Sequence, residues 1–246
     1  MAIFDVKRAD AVRLIAMDLD GTLTQHKTPL SEEARAALDA LAKRHTLLMV
    51  GAGQAMRIFN QMGQYPLDII GNYGMQEAHY DSATATLRIV RDDTAPCDRP
   101  SVDARVTALR ERYGFTEFAG DNVEYHPSGC VTFPILGTKA VAEDKLAFDP
   151  DRRRRRAIYR EVVEAFPEYT VFVGGSSSFD MAPHPHDKYH ALATYCAERG
   201  IPHSAVLFIG DDYGMGGNDE AVYLSDIPFL TVDDYRDFPR LVAPLL

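Results

Sequence analysis

Val12-Arg13-Leu14-Ile15-Ala16-Met17-Asp18-Leu19-Asp20-Gly21-Thr22 is a short apolar run that ends in two carboxylates and a turn. An apolar run of this length, closed by a glycine, reads as a buried strand. The acids then sit at the strand's carboxyl edge, where open α/β sheets bind ligands. Side chains alternate along a strand, so Asp18 and Asp20 are expected to start out on one face. Two like charges that close need a cation or a shared proton. A metal-assisted reaction, with one acid attacking and the other moving a proton, explains the pair economically.

The neighbouring segments continue an alternating pattern. Ser31 caps a helix expected to run to about Arg44, with Glu32 and Glu33 at the positive end of its dipole and an apolar stripe of Ala34, Leu38 and Leu41. Thr46 to Val50 reads as a strand, Gln54 to Met62 as a helix, and Leu67 to Ile70 as a third strand. This βαβαβ order implies a parallel sheet with helices on its faces. Residues 77–90 read as extended segments around Asp81-Ser82.

The middle of the chain changes style. A helix is expected over Ser101 to Tyr113, one or two strands within 123–135 and a helix over 152–166. Further strands are expected over Tyr169 to Val173 and Phe179 to Ala182. After Pro183-His184-Pro185 the α/β style returns with a helix over 187–199, a buried strand Ala205 to Ile209, a strand near 228–232 and a helix from about Tyr235. The fold class is α/β. A Rossmann-like core with a parallel sheet is built from 1–83 and 186–246, and an α+β cap is inserted over 84–185.

The 246 residues carry a net charge of −10, which argues against general nucleic-acid or anionic-membrane partners. A site for an anionic substrate would therefore have to concentrate cations locally. Cys97, Cys130 and Cys196 are odd in number and form no C-x-x-C pair, as expected of reduced thiols. Met1 to Asp10 has no apolar signal core, and no stretch approaches the ~18 apolar residues of a span, so a cytoplasmic location is expected.

A second acidic group, Gly210-Asp211-Asp212, also follows an apolar strand, and Asn218-Asp219 lies just beyond the turn Gly214-Met215-Gly216-Gly217. Acids at two strand ends of one sheet can converge on Mg²⁺, which wants oxygen ligands and keeps several waters. Lys188, alone, reads as a surface lysine. Beside these acids it reads as the cation that neutralises a phosphate and an aspartate. Val50-Gly51-Ala52-Gly53-Gln54-Ala55-Met56 mimics a dinucleotide fingerprint, but Met56 stands where the third glycine belongs, so the motif is broken. Its backbone N–H groups could still hold a phosphate. His26, His126, His184, His186 and His190 are scattered without zinc spacing. Arg152 to Arg156 reads as the solvated face of a helix.

Together, Asp18-x-Asp20-Gly21-Thr22, Lys188, Gly210-Asp211-Asp212 and Asn218-Asp219 resemble the haloacid dehalogenase superfamily of phosphotransferases. Gly174-Gly175, Ser178-Phe179-Asp180, Asp187-Lys188 and Gly216-Gly217-Asn218-Asp219 are similar to the eukaryotic-type phosphomannomutase branch. The resemblance implies that Asp18 is a nucleophile forming an aspartyl-phosphate and Asp20 the general acid/base. It further implies that Asp18, Asp20 (through its carbonyl) and Asp211 hold Mg²⁺, and that Lys188 steadies the phosphoryl group. Asp212, Asn218 and Asp219 would ligate the metal or stand behind its ligands. Gly21, Ala52, Gly53, Ser178 and Asp180 would contact substrate.

Some positions depart from that branch. Ala52 stands where the superfamily usually carries Ser or Thr. Lys27 falls where a core arginine is expected, His126 stands for a cap arginine, and Lys139 and Lys145 are stand-ins for others. Lysine offers a point charge rather than a planar fork, so the grip on a second phosphate weakens. The expected function is a Mg²⁺-dependent sugar-phosphate phosphatase on this scaffold. Phosphomannomutase is the alternative, and a non-catalytic phosphosugar binder a third. The branch also implies a cap-mediated homodimer.

Overall fold

The computed structural model describes residues 2–4 and 6–246, so Asp5 lies outside the described residues. The chain divides into two units, one of Met1–Asp92, Asp187–Gly214 and Asp219–Leu246, the other of Asp93–His186 and Met215–Asn218.

The first unit is built on β1 (Ala2–Ile3), β2 (Leu14–Met17), α1 (Glu32–Leu41), β3 (Thr46–Val50), α2 (Ala55–Gln61), β4 (Asp68–Gly71), β5 (Gln76–Asp81) and β6 (Thr86–Asp92). The elements of the inserted unit are α3 (Arg99–Tyr113), β7 (Glu124–Tyr125), β8 (Val131–Pro134), α4 (Ala142–Phe148), α5 (Arg153–Ala165), β9 (Tyr169–Phe172) and β10 (Ser178–Pro183). The first unit resumes with α6 (Lys188–Glu198), β11 (Val206–Gly210), α7 (Glu220–Tyr223), β12 (Pro228–Thr231) and α8 (Phe238–Val242).

The strands of the first unit form one eight-stranded sheet in the order β1-β12-β11-β2-β3-β4-β5-β6. Pairing is parallel from β1 to β4, and the last two pairs are antiparallel. Alternation along β2 sends Ile15 and Met17 to one face with Leu38, Phe59 and Phe238, and Leu14 and Ala16 to the other with Leu192, Cys196 and Phe208. Both faces of β2 and β11 are therefore buried, which is why these strands read as unbroken apolar runs. Each large apolar side chain of these strands contributes roughly 1.5–3 kcal/mol by leaving water. The chain runs from β2 toward β3 and β4 on one side and reaches β11 and β12 on the other. The carboxyl ends of β2 and β11 thus form the point where strand order switches.

The turn between β5 and β6 falls at 82–85, where the sequence reading set its 83/84 boundary. β6 pairs with β5 from Thr86 to Asp92 with one bulge opposite Glu77 and Ala78, so the hairpin stays on the sheet and the division comes after Asp92. Among the described residues, no helix is long and apolar enough to cross a membrane.

In the second unit, β7-β8-β10-β9 form an antiparallel sheet. Its core joins Phe133, Phe179 and Val171 to Val102 and Val106 of α3 and Ile158 and Val162 of α5. Met215–Asn218 packs with this unit: Val173 N donates to Gly216 O at 2.8 Å and Arg156 Nε to Met215 O at 3.1 Å.

The arginine run is not wholly solvated, as its charge pattern suggests. Arg155 is fully buried and donates to Asp149 Oδ2 (2.9 Å), Gly174 O (2.5 Å), Gly175 O (3.2 Å) and Ser178 O (3.1 Å). Burial alone would raise the Asp149 carboxyl, but the bonds from Arg155 hold it below the usual carboxylate range. A planar fork can satisfy a carboxylate and several carbonyls at once, which is why an arginine survives there. Arg155→Ala is expected to cost about 3–5 kcal/mol, since it strands a buried carboxylate. Arg153→Ala, at a side chain 87% exposed, should stay within about 0.5 kcal/mol. Urea unfolding of the two variants checks this.

Candidate active site

β2 ends at Met17, and Asp18 N still donates to Ile209 O of β11 at 3.0 Å. The chain then leaves the sheet in a tight turn, with Thr22 N and Leu23 N both donating to Leu19 O. Regular strand alternation ends before the acids, and the Asp20 carboxylate does not join the cluster that holds Asp18. Gly21 has φ of +101°, and any Cβ there would collide with Asp211 Oδ2. A glycine is needed both for that backbone and for the close passage beside the Asp211 carboxylate. Thr22 Oγ1 completes the contact by donating to Asp211 Oδ1 at 2.9 Å.

Asp211 is the first residue after β11. Asp219 stands at the start of α7, and a Cβ on Gly210 would meet its Oδ2 at 2.5 Å. Lys188 opens α6, whose first turn is capped by Asp187 accepting from His190 N at 2.6 Å. Four segments thus bring Asp18, Asp211, Asp219 and Lys188 together. Asp18, Asp211 and Asp219 each offer a carboxylate oxygen, all within 4.8 Å of one another. Lys188 is fully buried, with Nζ 2.8 Å from Asp18 Oδ1 and 2.7 Å from Asp219 Oδ1.

The electrostatics follow from that count. One ammonium faces three carboxylates. Burial pushes Asp18 up to about 7, against the pull of Lys188 and with a further push from Asp219. Burial, then Asp18 and Asp219, push Asp211 up to about 8. For Lys188 burial works downward, but Asp18 and Asp219 carry it above its ordinary value. Excess negative charge on an all-oxygen donor set suits a hard divalent cation such as Mg²⁺. Lys188 and the Leu19 backbone N–H both bond Asp18, and Thr22 engages Oδ1 of Asp211. Asp219 spends Oδ1 on Lys188 and Oδ2 on Asp212 N at 3.0 Å, so it fits a holder of the lysine better than a metal ligand.

The other expected residues fall elsewhere. Asp212 is buried and is not a member of the three-carboxylate cluster. Asn218 belongs to the segment that packs with the second unit. The Asp20 carboxylate is also outside the cluster. It accepts from Lys27 N and Gln61 Nε2, both at 2.7 Å, and lies 3.6 Å from Arg57 Nη2. Ala52 and Gly53 form the loop before α2, but α2 has only seven residues and its first N–H, Ala55, is taken by Gln76 Oε1 at 3.0 Å. In the second unit, His126 Nε2 contacts Thr132 Oγ1 (3.1 Å), which donates to Asp180 Oδ1 (3.1 Å); Ser178 Oγ donates to the same oxygen (3.3 Å). Burial raises the Asp180 carboxyl. Lys145 Nζ donates to Thr138 O at 3.2 Å. Sequence reasoning missed Arg57 and Gln61, because nothing in α2 signals that its i,i+4 pair meets Asp20.

The family model described as Eukaryotic phosphomannomutase matches residues 112–233. The phosphomannomutase of Saccharomyces cerevisiae is 24% identical over 224 residues, 87% of this chain and 85% of its own. An IMP-bound IMP-nucleotidase of Plasmodium falciparum superposes with a TM-score of 0.69 at 14% identity, over 95% of this chain and 68% of its own. A haloacid dehalogenase-like hydrolase from B. subtilis gives 0.59 at 15%, over 95% and 99%.

Because Asp211 binds extra protons only when folded, the metal-free protein should lose stability as pH rises from about 4 toward 8. Asp211→Asn removes the share of that loss that Asp211 contributes. Its stability relative to wild type should therefore climb between pH 5 and pH 8, and added Mg²⁺ should narrow the gap. Thermal unfolding across that range, with and without the metal, checks the sign.

Proposed function

We propose that this phosphotransferase of the haloacid dehalogenase superfamily, a phosphomannomutase-like enzyme, moves a phosphoryl group between a small sugar phosphate and Asp18. The observation that carries the reading is the buried Asp18–Lys188–Asp219 arrangement beside Asp211. Asp18, Asp211 and the Asp20 carbonyl would hold Mg²⁺. That ion supplies positive charge that lets an anionic carboxylate meet an anionic phosphate.

An oxygen of Asp18 attacks phosphorus, and the bond from phosphorus to the sugar oxygen breaks. Asp20 gives its proton to that departing oxygen. In the second half a hydroxyl passes its proton to Asp20 and takes the phosphoryl group from Asp18, which regenerates both carboxyl groups. Lys188 keeps Asp18 in position and offsets charge that spreads over the transferring group.

The acceptor in the second half separates two readings. A hydroxyl of the same sugar makes the enzyme a hexose phosphomutase, and the relatives named phosphomannomutase, matched over most of both chains, favour it. Water makes it a phosphatase, the function expected from the sequence. One observation favours that second reading: His126 and Lys145, which stand in for arginines, are occupied with Thr132 and Thr138. A non-catalytic binder finds no support among relatives named as enzymes.

The test uses mannose and glucose 1- and 6-phosphates with Mg²⁺, with and without hexose 1,6-bisphosphate. Interconversion that depends on the bisphosphate is the expected result. Phosphate release without interconversion would decide for hydrolysis, and neither reaction would remove hexoses as substrates. Asp18→Asn should lower whichever turnover is found by about 10³-fold or more, through loss of the nucleophile.

A further inference from the structure

Asp20 is held by side chains that no step above has used. Gln61 Nε2 donates to Asp20 Oδ1 at 2.7 Å and to Thr28 O at 3.0 Å, and lies 3.3 Å from Thr24 Oγ1. The other end of that carboxamide, Oε1, accepts from Arg57 Nη1 at 2.6 Å. A guanidinium can only donate, so it fixes the oxygen of Gln61 on its own side and leaves the amide nitrogen to Asp20. Arg57 Nη2 stands 3.6 Å from Asp20 Oδ2, and Lys27 N donates to Oδ1 at 2.7 Å. Both carboxylate oxygens are thus approached from defined directions.

These contacts have a shared origin. Arg57 and Gln61 lie one helical turn apart on α2, and both line an open cleft of about 350 Å³ with Lys27, Pro29, Asn60 and Gly63. Without them, an aspartate on a turn beyond a strand end would sample several rotamers. Each wrong rotamer withholds the proton when the bond to phosphorus breaks. A proton donor is effective only within hydrogen-bond reach of its target.

We infer that Gln61, braced by Arg57, is a positioning residue that aims Asp20 for proton transfer to the leaving oxygen. The inference rests on the reading of Asp20 as the acid. Its chemistry is selective. A sugar oxygen leaves as a poor alkoxide and needs the proton, whereas p-nitrophenolate leaves as a stable anion without one.

Single-turnover release of the leaving group, in the presence of Mg²⁺, reads this first half alone. Asp20→Asn should slow release from a hexose phosphate about 100-fold or more, with little change for p-nitrophenyl phosphate. Gln61→Leu should show the same split, about tenfold on the hexose phosphate, with KM nearly unchanged. Arg57→Met should show it more weakly, and Arg57→Lys should recover part of it. Should Gln61→Leu fail to fold by circular dichroism, Arg57→Met carries the test, since the Arg57 side chain is 41% exposed. A split for Asp20→Asn with equal or no effect on the two substrates for Gln61→Leu and Arg57→Met would overturn the inference alone. No split for Asp20→Asn would overturn the acid role of Asp20, and the inference with it.

Discussion

The first unit is organised around one buried ammonium. Lys188 Nζ sits between Asp18 and Asp219 with no exposure to water. A charge so placed is tolerable only when paired and hydrogen-bonded. Three carboxylates around one lysine leave the group overcharged, and the carboxyl groups of Asp18 and Asp211 respond by holding their protons near neutral pH. The same excess of negative charge on oxygen donors suits the place to a hard divalent cation.

Everything nearby serves to bring these groups within reach. β2 and β11 are neighbours, so the residues just past their ends emerge side by side. Gly21 removes the Cβ that would strike Asp211, and Thr22 ties the turn to that carboxylate. Asp219 anchors Lys188 from α7 while receiving the Asp212 N–H. Rigid strands and short turns, rather than long loops, set these positions, which suits a site whose catalysis depends on fixed charges.

The second unit solves a comparable problem differently. Arg155 and Asp149 form a buried pair, and the arginine also collects the carbonyls of Gly174, Gly175 and Ser178. The loop leading to Ser178 and Asp180 is therefore fixed from beneath by a charged side chain rather than by apolar packing.

The amino-acid sequence by itself determined the alternation of strands and helices and the acids at the ends of two buried strands. These are local matters: side-chain periodicity, capping and turn chemistry act over a few residues and can be read in order along the chain. Only the tertiary structure decided which carboxylates meet. Asp18 finds Asp211 and Asp219 rather than Asp20, and Thr22 reaches an aspartate 189 positions away. It also decided that Arg155 turns inward and that Arg57 and Gln61 close on Asp20. The physical reason is the same in each case. Burial and the direction of a side chain depend on partners brought in by distant segments, and no local pattern specifies those partners.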